Sequence, residues 1–360
     1  MQKNRIRLEK MPDRVPRSGT FELTVRCDLR CRMCLFRHDV HEDGSLRAHE
    51  LTASQWVDMA REAAEAGMVN LLVTGGEPML RPDFPEIWEG IYRFGFLTEL
   101  YTNATLVTPR VMEVLRRCPP HRIGVTVYGS TPEVYGRVCG EAGAFGRMVS
   151  GVRQLQTLPS AVSFRTTIIR DNLDDLPGID RLVSDTFGCA GGVELTRLVT
   201  RAVRGGCADA EACRLSAREQ YELMLSRAVR RVTGECGGKD TRLRAVVPEA
   251  KPPDRLTLLG CSAGMDSFAV TYDGYLQGCQ MLDTFRTDAA RLGFYEAWET
   301  FPQAVRLPPP HPDCLSCGLQ SLCATCPAFR LSETGSVGGK PDYICETTRI
   351  TEEIIRRDQI

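Results

Sequence analysis

Three cysteines stand within eight residues, in the run Cys27-Asp-Leu-Arg-Cys31-Arg-Met-Cys34. A CxxxCxxC spacing lets three thiolates wrap one face of a 4Fe–4S cluster and leaves one iron without a protein ligand, open to a chelating small molecule. Zinc is the alternative, and His38 or His41 could complete its four ligands. Further on, Gly75-Gly76-Glu77-Pro78 joins two residues that let backbone approach closely to a carboxylate that can accept from an ammonium. Seven more cysteines follow late in the chain: Cys261, Cys279, Cys314, Cys317, Cys323, Cys326 and Cys345. Clustered thiols on loops suit iron–sulfur ligation, and a zinc ribbon-like domain is the competing reading.

Sixteen cysteines in 360 residues would suggest disulfides in a secreted chain. The first twenty residues are polar and partly basic, with no apolar run, so no signal peptide is expected. No stretch of about twenty apolar residues is present, which predicts a cytoplasmic protein with no membrane span. A formal net charge of −1 gives no electrostatic footprint for nucleic acid. Reduced thiols that ligate metal are therefore the expectation.

The elements that must position these groups alternate along the first two-thirds of the chain. Strands are predicted at 21–26, 70–74, 97–102, 123–128, 162–169 and 193–199, each rich in Val, Ile, Leu or Thr. Helices with apolar spacing near 3.6 are predicted at 52–66, 85–94, 109–117, 145–157, 174–187 and 216–232. Repeated β–α units imply a parallel sheet with right-handed crossovers. Six units are too few for an eight-stranded barrel, so the fold class is α/β, a partial (β/α)6 TIM-like barrel followed by a small cysteine-rich domain. The loops after the strands would form the reaction face. The predicted division is an N-terminal extension (1–20), the barrel (21–233), a linker (234–254), the cysteine-rich domain (255–348) and a closing helix end (349–360).

CxxxCxxC after the first strand, with GGEP after the second, resembles the radical SAM superfamily, and the resemblance runs from about Phe21 to Val199. It implies a 4Fe–4S cluster on Cys27, Cys31 and Cys34 that binds S-adenosylmethionine (SAM). Gly75, Gly76, Glu77 and Pro78 would lie at the SAM amino group. Asn103 resembles a family position near the cofactor, Thr126 one that reaches the ribose, and Arg137 an arginine directed at the SAM carboxylate. The implied chemistry is reductive cleavage of SAM to a 5′-deoxyadenosyl radical, which abstracts hydrogen from an unactivated carbon.

The later cysteines, with Gly274 five residues before Cys279, resemble the SPASM domain of peptide-modifying relatives. Two residues separate Cys323 from Cys326 where that family usually has three. The resemblance implies three 4Fe–4S clusters in all. Cys261, Cys279 and Cys326 would hold the first auxiliary cluster, with Cys207, Cys213 or Cys236 as candidates for its fourth ligand. Cys314, Cys317, Cys323 and Cys345 would hold the second. Cys207 and Cys213 share a loop on the reaction face and are candidates for extra functional thiols.

The expected activity is maturation of a ribosomally synthesised precursor peptide by thioether or carbon–carbon crosslinking. The alternatives are a sulfatase-maturase-like side-chain dehydrogenase and a small-molecule dehydrogenase or epimerase. In the dehydrogenase relatives an Asp follows the second cysteine of the auxiliary set. Here Gln280 stands there and cannot act as a base, and the carboxylate closest in sequence is Asp283. An electron carrier would need no SAM pocket. Expected partners are the peptide and an external reductant such as flavodoxin or ferredoxin. The leader would be bound by a separate protein or by the barrel, because some twenty residues before the first strand are too few for a winged helix.

Overall fold

The computed structural model describes residues 14–189, 191–205, 209–223 and 257–357. Nine strands form one sheet in the order β6-β5-β4-β3-β2-β1-β7-β8-β9. They are β1 (Ser18–Glu22), β2 (Asn70–Thr74), β3 (Leu97–Thr102), β4 (Arg122–Thr126), β5 (Ala161–Thr167), β6 (Val193–Thr196), β7 (Ser267–Val270), β8 (Tyr275–Cys279) and β9 (Leu282–Asp288). β1 to β6 pair in parallel with their sequence neighbours, as crossover helices require. This is the expected α/β partial barrel, extended beyond β1 by three further strands.

Alternation along β1 separates two faces. Phe21 is buried against Trp56 at 5.0 Å between ring centroids, while Thr20 and Glu22 take the opposite face. Trp56, Met59, Ala60 and Ala63 recur at helical spacing and are the buried stripe of the helix Ala53–Glu65. That helix starts at Thr52, whose hydroxyl accepts from the Gln55 N–H while the Gln55 side chain accepts from the Thr52 N–H, a capping box worth about 1 kcal/mol. The helices Phe84–Tyr92 and Pro109–Arg117 each begin with Pro in the first turn and bury their apolar stripes in the same way.

The expected strands 70–74 and 97–102 coincide with β2 and β3. β1 runs earlier than the expected 21–26. The residues beyond it stay extended but bond the loop after β2, with Leu23 N–H donating to Thr74 O (2.9 Å) and Gly76 N–H to Thr24 O (2.6 Å). The single helix expected at 174–187 is instead a 3-10 turn (Arg170–Asp175), a short helix (Leu176–Arg181) and one π turn (Leu182–Thr186). Pro177 suits the start of that short helix, where its missing N–H costs no intrahelical bond. The helix Pro132–Cys139 was not foreseen. Of the predicted helix 216–232, residues 217–223 are helical, and its remainder and the linker 234–254 lie outside the described residues.

The first part of the cysteine-rich segment is built as sheet. β7 pairs parallel with β1, Ser18 opposite Ser267, and β8 and β9 follow antiparallel. Gly274, at φ +86°, makes the turn between β7 and β8, where a Cβ would also meet the Ala290 Cβ at 2.5 Å. The helix Phe294–Ala304 packs Phe294 and Trp298 on Phe268.

The chain divides into two compact units, residues 1–213 with 257–306, and residues 214–256 with 307–360. In the second, helices span Pro312–Leu315, Pro327–Thr334 and Asp342–Arg357, the last beginning before the closing helix end expected at 349. Arg214 pairs with Glu333 at 2.8 Å and lies 3.8 Å over the Tyr343 ring. Among the described residues no helix is long and apolar enough to cross a membrane.

Candidate cofactor site

Cys27, Cys31 and Cys34 lie on the loop that follows β1, at the ends of the strands. Two backbone clamps shape this loop. On one side Arg30 N–H donates to Cys139 O (2.8 Å) and Arg32 N–H to Val138 O (3.1 Å), at the last turn of Pro132–Cys139. On the other, Gly76 N–H and Glu77 N–H bond Thr24 O and Arg26 O. This second clamp requires glycine. A Cβ on Gly76 would sit 2.2 Å from Arg26 O, and one on Gly75 would sit 2.5 Å from Thr24 O. The glycines therefore admit the chain's own backbone, and they seat Gly75–Pro78 beside the residues that lead into Cys27.

Glu77 is fully buried. Its Oε1 accepts from Met79 N–H (3.1 Å) and Thr102 Oγ1 (2.9 Å), and its Oε2 accepts from Asn103 N–H (2.8 Å). Burial pushes its carboxyl up to about 7, against the pull of those three donors. Asn103 in turn donates through Nδ2 to Asp28 Oδ1 (2.8 Å) and approaches the Cys27 sulfur at 3.8 Å. Thr105 Oγ1 closes the cluster on Asp28 Oδ2 at 2.5 Å. Between them Ala104 has φ of 60°, a left-handed conformation that costs a non-glycine residue roughly 1–2 kcal/mol. The turn is strained where it places Asn103 and Thr105 on either side of Asp28.

Cys31 is buried, and Cys27 and Cys34 are half-buried. Burial pushes all three thiols up, those of Cys27 and Cys31 well above the ordinary range. Cys31 raises the Cys27 thiol further, and Cys34 raises that of Cys31. The Tyr128 hydroxyl is within hydrogen-bonding reach of Cys31. Buried sulfurs this close together, with few donors, are poor thiolates by themselves and good ones against iron, whose charge reverses that penalty. The donor set thus fits a three-thiolate cluster. Among the described residues no three His, Cys, Asp or Glu side chains converge on a single metal ion. A cluster asks for no such convergence, since each cysteine takes a different iron.

The other expected cofactor residues are more scattered. Thr126 is the last residue of β4 and half-buried. Arg137 is exposed and donates to Asp171 O at 3.4 Å, and Asp171 also pairs with Arg32 at 2.8 Å. Cys207 and Cys236 lie outside the described residues. Cys213 is buried, and burial pushes its thiol up to about 11.

A cavity of about 780 Å³ lies at the N-terminal ends of β1 to β5, the end away from the Cys27 loop, lined by Thr20, Glu99 and Arg122 and also by Cys261, Cys279 and Gln280. Two residues beyond Thr20, Glu22 is 1% exposed, and its Oε2 accepts from Arg204 Nη2 (2.5 Å) and Gln280 Nε2 (3.0 Å). The carboxylate that Gln280 bonds is Glu22. The signal lay in the alternation Thr20, Glu22, Thr24 against Phe21, Leu23, Val25, which places an acid on the inner face. In the second unit Cys345 feels both Cys314 and Cys323 as near neighbours. Arg330 Nη1 lies 3.6 Å from the Cys314 sulfur, Leu319 N–H lies 3.4 Å from that of Cys317, and Cys326 precedes the helix Pro327–Thr334.

Comparison with known proteins agrees with this construction. The chain is 33% identical over 161 residues to an AdoMet-dependent heme synthase of Methanosarcina barkeri, an alignment that spans 45% of this chain and 45% of that protein. It is 27% identical over 268 residues to a PqqA peptide cyclase of Ruegeria pomeroyi, covering 73% of this chain and 67% of the relative. The fold matches the crystal structure of Streptococcus suis SuiB with a TM-score of 0.67 at 16% identity, over 96% of this chain and 80% of SuiB. The family model of the radical SAM superfamily matches residues 21–183, the stretch that carries Cys27, Cys31, Cys34 and Gly75–Pro78. Over residues 21–183 the chain is therefore similar to a radical SAM superfamily domain.

Proposed function

We propose that this chain is a radical SAM enzyme that modifies a ribosomally synthesised peptide by forming a thioether or carbon–carbon crosslink. The observation that carries the reading is the burial of three thiols on the loop after β1, clamped to Gly75–Pro78. The likeness to a peptide cyclase over most of the chain supports a peptide as substrate.

In this reading Cys27, Cys31 and Cys34 hold the cluster, and Gly75–Pro78 with Asn103 bound the methionine end of SAM. Thr126 and Arg137 serve its ribose and carboxylate. When bound, cluster and SAM together supply hydrogen-atom abstraction from an unactivated carbon. The protein's own tasks are to hold the peptide along the inner face of the sheet and to keep water from the site. Glu77, spent on Met79, Thr102 and Asn103, acts by fixing Asn103 in place.

Residues 255–348 are proposed as a SPASM domain. Cys261, Cys279 and Cys326 take the first auxiliary cluster, and Cys314, Cys317, Cys323 and Cys345 the second. That Cys261 and Cys279 line one cavity supports a shared cluster. The external reductant is of the flavodoxin or ferredoxin kind, and the site of action is the cytoplasm.

The test is iron and labile sulfide content after anaerobic reconstitution, with SAM cleavage assayed in parallel. About twelve irons per chain, falling to about eight in Cys27→Ala/Cys31→Ala/Cys34→Ala with cleavage abolished, is the expected result. Zinc in place of iron, or cleavage that survives the triple variant, would sink the reading. Peptides encoded beside the gene are then screened by mass for loss of hydrogen.

A further inference from the structure

Glu22 and Arg204 form a buried ion pair for which the proposed chemistry has so far given no use. Glu22 is 1% exposed, and the Arg204 side chain is 13% exposed. The pair is incompletely satisfied, because Glu22 Oε1 and Arg204 Nε are buried without a hydrogen-bond partner among the described residues. A half-satisfied buried pair is a poor device for stability.

Its surroundings are the two cysteine loops of this unit. Arg204 lies over the Phe36 ring at 4.6 Å, two residues after Cys34. Its N–H and that of Val203 both donate to Leu35 O, at 3.1 and 2.9 Å. The contact is close enough that a Cβ on Gly205 would fall 2.0 Å from Arg37 O. On the other side Glu22 accepts from Gln280, the residue after Cys279. One chain of contacts thus runs from Leu35 through Arg204, Glu22 and Gln280 to the Cys279 loop.

We propose that Glu22 and Arg204 are positioning residues that set the electrostatic potential, and hence the reduction potential, of the iron–sulfur group held by Cys27, Cys31 and Cys34. The inference rests on the cluster assignment made above. A fixed negative charge beside a redox group favours its oxidised form, and a positive charge favours its reduced form. Burial keeps both effects from being screened.

The experiment is a redox titration of the reconstituted full chain, followed by electron paramagnetic resonance. The signal of interest is the one lost in the Cys27→Ala/Cys31→Ala/Cys34→Ala variant. Glu22→Gln is expected to move that potential to less negative values and Arg204→Gln to more negative ones. Glu22→Asp, which keeps the charge, is expected to stay near wild type. If the single variants fail to fold, Glu22→Gln/Arg204→Gln removes both charges together. It is expected to shift in the direction of Glu22→Gln but by less, because Glu22, 1% exposed against 13% for Arg204, is the less screened charge. A merely structural pair would move both single variants the same way, or neither, and that result overturns the inference, as does an unmoved potential in the double variant. Wild type without iron overturns the cluster assignment and this inference together, whereas iron with unmoved potentials overturns this inference alone.

Discussion

The main-chain N–H of Asn103 donates to Oε2 of Glu77 at 2.8 Å, so the turn after β3 is held by the loop after β2. The Asn103 side chain then turns the other way, onto Asp28 and the Cys27 sulfur. One residue therefore connects the Gly75–Pro78 loop to the first cysteine of the cluster loop, and the position of Cys27 depends on it.

Asn103→Ala keeps the backbone bond to Glu77 and removes the amide from Asp28, leaving a half-buried carboxylate short of one donor. The expected loss is about 1–2 kcal/mol of unfolding free energy, measured by urea titration. Iron retained at the Cys27 site after reconstitution and gel filtration should fall with it. Full iron retention would mean that the contact with Cys27 does not hold the loop.

Gly76→Ala places a methyl group 2.2 Å from Arg26 O, a backbone atom that cannot swing away. The clamp between the loops must open, at a cost of about 3 kcal/mol or more, at the upper end of what overpacking does. Gly44→Ala is the control. Nothing lies within 4 Å of that Cβ, and the position is in the helix Asp43–Ala48, so a gain of about 0.5–1 kcal/mol is expected. Urea unfolding of the two variants side by side decides whether close approach explains the glycine.

The repeated β–α units were legible because period-2 and period-3.6 patterns are written into single segments. β2, β3 and the helix Pro109–Arg117 lie where their residues predict. β7 to β9 were not legible. Cysteines and glycines dominate that stretch, and what makes Ser267–Val270 a strand is pairing with Ser18–Phe21 some 250 residues earlier. The cysteine spacing at 27–34 was visible, whereas the use of Glu77 was not. GGEP shows a carboxylate beside two glycines, but only the fold brings Thr102 and Asn103 to consume it. Glu22 was missed for the opposite reason, because the local alternation marked it as inward-facing while its partners Arg204 and Gln280 are remote in sequence.

Glu77 makes stability depend on pH. Its folded value of about 7 lies above the ordinary 4.5, so the folded chain holds a proton that the unfolded chain releases between those two values. The contribution is fully present below about 4.5 and is lost as pH rises through about 7. It amounts to about 3 kcal/mol at the rate of 1.36 kcal/mol per pKa unit. The difference in unfolding free energy between wild type and Glu77→Gln should therefore shrink across this window and stay level above it. A difference that is flat from pH 4.5 to 7 would show that the donors at Met79, Thr102 and Asn103 outweigh burial and keep the carboxylate ionised.

Cys345 separates the two cysteine sets. It stands on the helix Asp342–Arg357 in the second unit, with Cys314 and Cys323 as its near thiol neighbours, while Cys27, Cys31 and Cys34 belong to the first unit. Burial and those two neighbours raise its thiol, the environment of a ligand waiting for a cation. Cys345→Ala is expected to lower iron by about four per chain, one 4Fe–4S cluster, and to leave the signal that depends on Cys27, Cys31 and Cys34 in place. SAM cleavage should persist, and modification of the peptide should fall, because the residues proposed to hold SAM all belong to the first unit. Iron content, paramagnetic resonance and product mass on the same preparation check this. If iron is unchanged, Cys345 is not a ligand. If the Cys27-dependent signal disappears as well, the two sets are not independent.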